Sequence, residues 1–489
     1  MNLLLDNIIP LQVILLFLGA ALIPFVSKSG WIVSFISIYT CALLSSVMIF
    51  VVKKFGYMSY VFGGFALPYG IEFRFDPLSV AFVSLITIGV LPIIIYGFLA
   101  VKLEIAESKR HLFYSLLLFN LAGNIGMVLA YDLFTVYVFI EIASLTAYGL
   151  VASGKSRRSA YYAYNYLIVG TIGASFYLLG IGIIFALTGT LNMGDVAIKL
   201  ASLPVTNLLG VSYLCIMVGL LLKIGIFPFH AWVPGVLSSA PSVVSSVFSI
   251  ASSNVLIYLI IRLFFNVLNI DVHSFISLQK ILIIMTVITI IASGIAAMNA
   301  KEFRKMMAYS SLMHYSLVLF AVAIASKASM ISAFVMIFAH AIAKSGLFMS
   351  AGFLSMRNAS LFINVMPGTF IHSPWTTSAF VINLIAVSGI PPLINFLGKW
   401  QLLVASFREN IWFIAVAIIS TLFGLLYGLR VIDQVLFKSE VSQVRGSNSE
   451  ILMKCSILLT SVMIILMTLC GGVLFEQSDY IATFLLSKI

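Results

Sequence analysis

The chain alternates long apolar runs with short polar breaks from one end to the other. Read at the roughly 20 residues that an α-helix needs to cross hydrocarbon, the runs predict spans near 8–26, 31–52, 78–101, 112–130, 132–152, 160–187, 209–240, 241–265, 279–298, 305–325, 329–354, 376–407, 411–436 and 452–474. In lipid every backbone N–H and C=O must find its partner inside the protein, and a helix does so within one segment. The pattern therefore predicts an all-α integral membrane protein with about fourteen transmembrane helices.

Two of these runs cannot be straight rods. Residues 209–240 contain Pro228 and Pro234, and each proline removes an amide donor and clashes with the preceding turn. Residues 376–407 are longer than one crossing requires, and Gly389, Pro391, Pro392 and Gly398 interrupt them. Broken spans at matching places in two halves are the mark of inverted repeats around a central site. Spans four to eight and nine to thirteen are the natural five-helix units. The expected organisation is N-terminal helices over 1–107, repeats over 108–270 and 271–438, each with a broken helix, and a C-terminal span over 439–489.

Composition agrees, with 62% hydrophobic and 9% charged residues against roughly 25% charged in soluble domains. The net charge of +11 lies in short loops, where it orients the helices rather than binding nucleic acid. The richer loops include Lys102, Lys109 and Arg110, then Lys155, Arg157 and Arg158, then Lys301, Arg304 and Lys305. The positive-inside rule makes those cytoplasmic and puts both termini outside, on the periplasmic side of an inner membrane. No Lys or Arg precedes the first run, which is expected to be a retained span rather than a signal peptide. Cys41, Cys215, Cys455 and Cys470 stand alone in apolar runs and are expected to pack, with no metal or iron–sulfur spacing. With no Walker or dinucleotide loop either, no cofactor is expected.

Against this background a few ionisable residues stand out. Of 16 acidic residues only Glu141 lies well inside a span, with Asp132 at that span's edge, and of 27 basic residues Lys223, Lys344 and Lys399 are intramembrane. One charge at the bilayer centre costs at least ~2.5–3.5 kcal/mol on insertion scales. Either each long side chain snorkels to the interface, or a hydrated, protein-walled path holds them. Three lysines and a glutamate favour the path, for protons or cations. Glu141 and Lys223 are the candidate pair. His340 and Lys344, four apart, share a helical face and could pass a proton along it. His314 either extends the row or is a core histidine bonded to a serine. His230, in a break, is better read as bonding freed backbone.

The segments carrying these residues are FIEIASLTAYGLVA around Glu141, LLKIGIFPFHAWVPGVLSSAPSVVSS around Lys223, NAKEFRKMMAYSSLMHYSLV around His314, HAIAKSGLFMSAG around Lys344 and SGIPPLINFLGKW around Lys399. Over nearly its whole length the chain resembles the antiporter-like membrane subunits shared by respiratory complex I, membrane-bound hydrogenases and multisubunit Mrp-type cation/proton antiporters. The D-type chain of the Mrp antiporters and its complex I counterpart look most similar. The resemblance implies fourteen helices with two inverted five-helix repeats, an ion-paired Glu141 and Lys223 in the first half, and Lys399 at the charged position of the second broken helix. One position departs from the family: where a lysine commonly links the half-channels, this chain has Asn254, whose amide can hold a water wire but no charge.

The expected function is a proton-translocating subunit of a multisubunit Na+/H+ antiporter, working with other membrane subunits and without a redox centre of its own. The alternatives are a proton-pumping subunit of an NADH:quinone oxidoreductase or membrane-bound hydrogenase, and a structural subunit whose polar row no longer conducts.

Overall fold

The computed structural model describes residues 2–26, 29–204, 206–268, 278–356, 361–363, 374–437 and 450–486. In chain order its helices are α1 (Asn2–Leu22), α2 (Gly30–Phe55), α3 (Pro77–Glu104), α4 (Arg110–Leu129), α5 (Leu133–Ala152), α6 (Arg157–Thr188), the short α7 (Met193–Ser202), α8 (Asn207–Ile224), α9 (Val233–Ser239), α10 (Ser242–Ile250) and α11 (Ser252–Asn266). There follow α12 (Leu278–Asn299), α13 (Phe303–Ile324), α14 (Lys327–Met356), α15 (Pro374–Ser388), α16 (Ile394–Glu409), α17 (Ile411–Ile432), α18 (Ile451–Leu469) and α19 (Gly471–Leu486). Among the described residues twelve helical segments are long and apolar enough to cross a membrane, beside the shorter apolar Asn7–Leu22 and Pro374–Ser388. The repeat boundaries expected at 270/271 and 438/439 fall outside the described residues.

Polar residues at the segment ends fix where helices start. Asp76 accepts the Ser79 amide at 2.9 Å while Ser79 Oγ accepts the Asp76 amide at 2.7 Å, and Pro77 takes the first helical position of α3. Asp132 caps α5 by accepting the Thr135 amide at 2.8 Å. The core lies on α13 and α14, whose spanning segments are each 94% buried. The peripheral helices turn large apolar side chains outward, among them Leu18, Phe50, Leu145, Ile291, Leu422 and Leu466, as a lipid-facing surface requires.

Several elements differ from the hydrophobic pattern. The loop after α2 holds an antiparallel hairpin, β1 (Met58–Val61) with β2 (Glu72–Phe75). The span expected over 241–265 bends at Ala251, between α10 and α11. The run expected to continue to 474 ends at Leu469, and α19 packs back against α14 and α3. Lys327, at the start of α14, pins α19 through Asp479 at 2.8 Å. Of the four free cysteines only Cys41 is fully buried, while Cys455 and Cys470 are exposed, so the expected packing role does not hold for those two.

Candidate functional site

Both expected breaks are present, and they are built alike. α8 ends at Gly225 (φ +87°) and α15 at Gly389 (φ +76°), each in the left-handed region that closes a helix and favours glycine. Each glycine opens a Gly-Ile-x-Pro tetrapeptide, 225–228 and 389–392. A freed amide is satisfied in both cases by a threonine of another helix: Phe227 N–H donates to Thr289 Oγ1 at 2.9 Å and Ile394 N–H to Thr468 Oγ1 at 3.1 Å. The ring of His230 lies near Phe227 at the first break, with its Nδ1 buried without a partner.

Lys223 sits one residue before the end of α8, where carbonyls lose their helical partners and attract a cation. It is 6% exposed and does not snorkel. Its Nζ donates to Ser144 Oγ at 2.8 Å, one turn along α5 from Glu141. Glu141 is half-buried, beside the exposed Leu145 and Val138, and its buried Oε1 accepts no hydrogen bond. The expected pair is therefore not closed: the ammonium bonds Ser144 Oγ, and Glu141 Oε1 accepts nothing. Next to Lys223 is a cavity of about 20 Å³ bordered by Ser144, Asn124, Tyr166 and Ser252. Ser252 Oγ and Asn124 Oδ1 are buried there without partners, and the volume suits one water.

Asn254 lies just past the bend. Its side-chain amide donates to the Ser249 and Ile250 carbonyls at 2.9 and 3.0 Å, filling acceptors that the bend releases. At this position the amide repairs backbone, and it is 2% exposed.

His314, on α13, and His340, on α14, stack with ring centroids 3.6 Å apart and planes 6° from parallel. His314 Nε2 contacts the Met336 carbonyl at 3.2 Å, and both nitrogens of His340 are buried without partners. Tyr315 lies edge-on to His340 at 5.8 Å, and its hydroxyl reaches Ser253, beside the cavity-lining Ser252. Lys344 is fully buried; its Nζ bonds Ser310 Oγ and lies 3.6 Å from Met307 Sδ rather than joining His340. Lys399, 3% exposed, donates to the carbonyl of Ser388, the last residue of α15, at 3.0 Å. The structure therefore gathers His314, His340 and Tyr315 into one cluster. Lys344 and Lys399 lie in polar seats of their own, as Lys223 does with Ser144.

One buried ion pair was not anticipated from the sequence. Arg262 of α11 and Asp76 meet through two bonds of 2.6 and 2.8 Å, with side chains 3% and 0% exposed. Burial pushes the Asp76 carboxyl up, but the guanidinium and the Ser79 amide outweigh it and hold the group below the usual carboxylate range. Arg262 also bonds Tyr258, whose hydroxyl donates to the Val128 carbonyl at 2.7 Å. The signal was present in Asp76-Pro77-x-Ser79, a helix start that fixes a carboxylate in place, and in an arginine near the end of an apolar run.

Residues 130–424 match the NADH:quinone oxidoreductase/Mrp antiporter transmembrane family. The chain is 33% identical to the N chain of the NADH-quinone oxidoreductase of Desulforudis audaxviator over 78% of this chain and 75% of that protein. It is 27% identical to the D chain of the Na(+)/H(+) antiporter of Bacillus subtilis over 87% and 85%. Among solved structures it superposes on a chain of the archaeal membrane-bound sulfane sulfur reductase with TM-score 0.90 and 25% identity, covering 99% and 98%. A chain of the Mrp complex from Dietzia gives 0.89 at 19% identity, covering 99% and 98%.

Proposed function

The chain belongs to the NADH:quinone oxidoreductase/Mrp antiporter transmembrane family, and on that footing we propose that it moves protons across the membrane as one subunit of a multisubunit complex. The observation that carries this reading is the burial of Lys223, Lys344 and Lys399 in polar seats inside the helix bundle. A lysine kept only for anchoring would reach toward headgroups.

The proton enters or leaves the first half at Glu141 and Lys223. Ser144 and the small cavity give the ammonium neighbours that can take up its hydrogen bonds when the proton moves. Ser252, Ser253 and Tyr315 continue toward the stacked histidines. Lys344 and Lys399 serve the second half. The similar Gly-Ile-x-Pro breaks support reading the halves as two inverted five-helix repeats. The half-buried carboxylate of Glu141, beside outward-facing leucine and valine, suits a chain covered there by another subunit.

The finer reading is a subunit of a monovalent cation/proton antiporter exchanging sodium. Support comes from coverage of 87% and 85% against the Bacillus subtilis antiporter chain and the superposition on a chain of an Mrp complex. The 33% identity to an NADH-quinone oxidoreductase chain favours a second reading, in which electron transfer in partner proteins drives the same row. The partners that purify with the chain distinguish the two.

Glu141→Ala or Lys223→Ala is expected to abolish sodium-dependent proton flux in inverted vesicles while the complex still assembles. Unchanged flux in both variants overturns the proposal and leaves a structural role.

A further inference from the structure

A cavity of about 280 Å³ opens between α2, α3, α14, α18 and α19, with no residue of the proton row in its lining. Its wall is almost wholly carbon, including Ala81, Phe338, Ile342 and Met467. The polar lining includes Lys53 in the last turn of α2 and Tyr480 of α19. Among the described residues no Asp or Glu lines it, and Asp479 of α19 is paired to Lys327 instead.

The depth of the groove is informative. From Pro77 to Gly89 it follows α3 for twelve residues, about 18 Å at 1.5 Å per residue. That is slightly more than half of a hydrocarbon layer of about 30 Å, the reach of one acyl chain in one leaflet. A basic side chain at the helix end, an aromatic hydroxyl on α19 and an apolar trench match an anionic lipid's phosphate, interface and tail.

We propose that this groove binds an anionic phospholipid, with one acyl chain along α3 and its phosphate at Lys53. The tail lies on Phe338 and Ile342, and so against the outer face of the helix that bears His340 and Lys344. The site rests on the membrane location alone and not on the transport reading, so either can fail without the other.

The test uses the chain purified from its native membrane with its accompanying subunits. The preparation is stripped with detergent and titrated with dioleoyl phosphatidylglycerol or dioleoyl phosphatidylcholine, and retained lipid and melting temperature are measured. Phosphatidylglycerol is expected to be retained and to raise the melting temperature more than phosphatidylcholine. Lys53→Gln, a surface change, is expected to weaken phosphatidylglycerol about fivefold, the share of one basic residue. Ala81→Trp fills the trench and is expected to remove the retained lipid. Equal effects of the two lipids on the natural protein overturn the proposal, as does unchanged retention in Ala81→Trp. A photo-crosslinker at position 81 that captures a polypeptide instead of lipid also overturns it.

Discussion

Gly389→Ala probes the second break most directly. At φ +76° an alanine occupies a region that costs roughly 1–2 kcal/mol for a residue with a Cβ. The new methyl would lie 2.7 Å from Lys399 Nζ and 2.8 Å from its Cδ. The backbone is held by the helix end, so the flexible lysine is what moves. It then loses its 3.0 Å bond to the Ser388 carbonyl, a charge-assisted contact of about 1.5–3 kcal/mol. Together the two effects amount to roughly 2.5–5 kcal/mol. Thermal unfolding in detergent reads the sum, and proton flux in inverted vesicles reads the displacement of Lys399. Gly182→Ala is the control, because its Cβ would meet nothing within 4 Å and its φ lies outside the left-handed region. The expected result is a lower melting temperature and flux reduced tenfold or more, that is, by at least about 1.4 kcal/mol, with the control unchanged. If Gly389→Ala matches the control in both assays, Lys399 is not seated by this break and the reasoning fails.

Further outcomes follow from the same contacts. Asn254→Leu leaves the Ser249 and Ile250 carbonyls without a donor and should destabilise by about 1–3 kcal/mol, whereas Asn254→Lys keeps a donor there and should leave flux equal or higher in the vesicle assay. Asp76→Asn strips Arg262 of its buried counter-charge and should cost about 3–5 kcal/mol in thermal unfolding. Because the folded carboxyl titrates below its unfolded value near 3.9, that contribution is complete above about pH 5 and disappears as pH falls through the folded value. Melting curves at pH 6 and 8 should therefore show the same loss for Asp76→Asn, with the gap to the natural protein closing only in acid. Ser144→Ala removes the Lys223 acceptor and should reduce flux less than Lys223→Ala does in the same vesicles, since the neighbouring cavity remains.

The hydrophobic run lengths carried most of the fold, because a bilayer forces each crossing to declare itself in about 20 residues. The breaks were legible for a similar reason: proline and glycine announce lost amides and left-handed turns. The bend at Ala251 was not, since neither residue marks it and its carbonyls are mended by an asparagine three residues on. The hairpin at Met58–Val61 was hidden in a segment too short and too aromatic to distinguish from loop. Helix α19 carries Glu476, Gln477 and Asp479 within sixteen residues, so hydropathy alone reads it as tail. For the site, sequence named the buried lysines and histidines, because charge in lipid is conspicuous. It could not name their acceptors. Ser144, Ser310 and Ser252 are ordinary residues in a membrane helix, and only the fold turns them toward Lys223 and Lys344.

The bend at Ala251 leaves two consecutive serines in different surroundings, Ser252 lining the small cavity beside Lys223 with its hydroxyl unpartnered and Ser253 beside Tyr315. Successive residues on a helix are separated by about 100° of rotation. One short stretch of α11 therefore borders both the Lys223 seat and the histidine cluster, and replacing either serine perturbs a different one of the two.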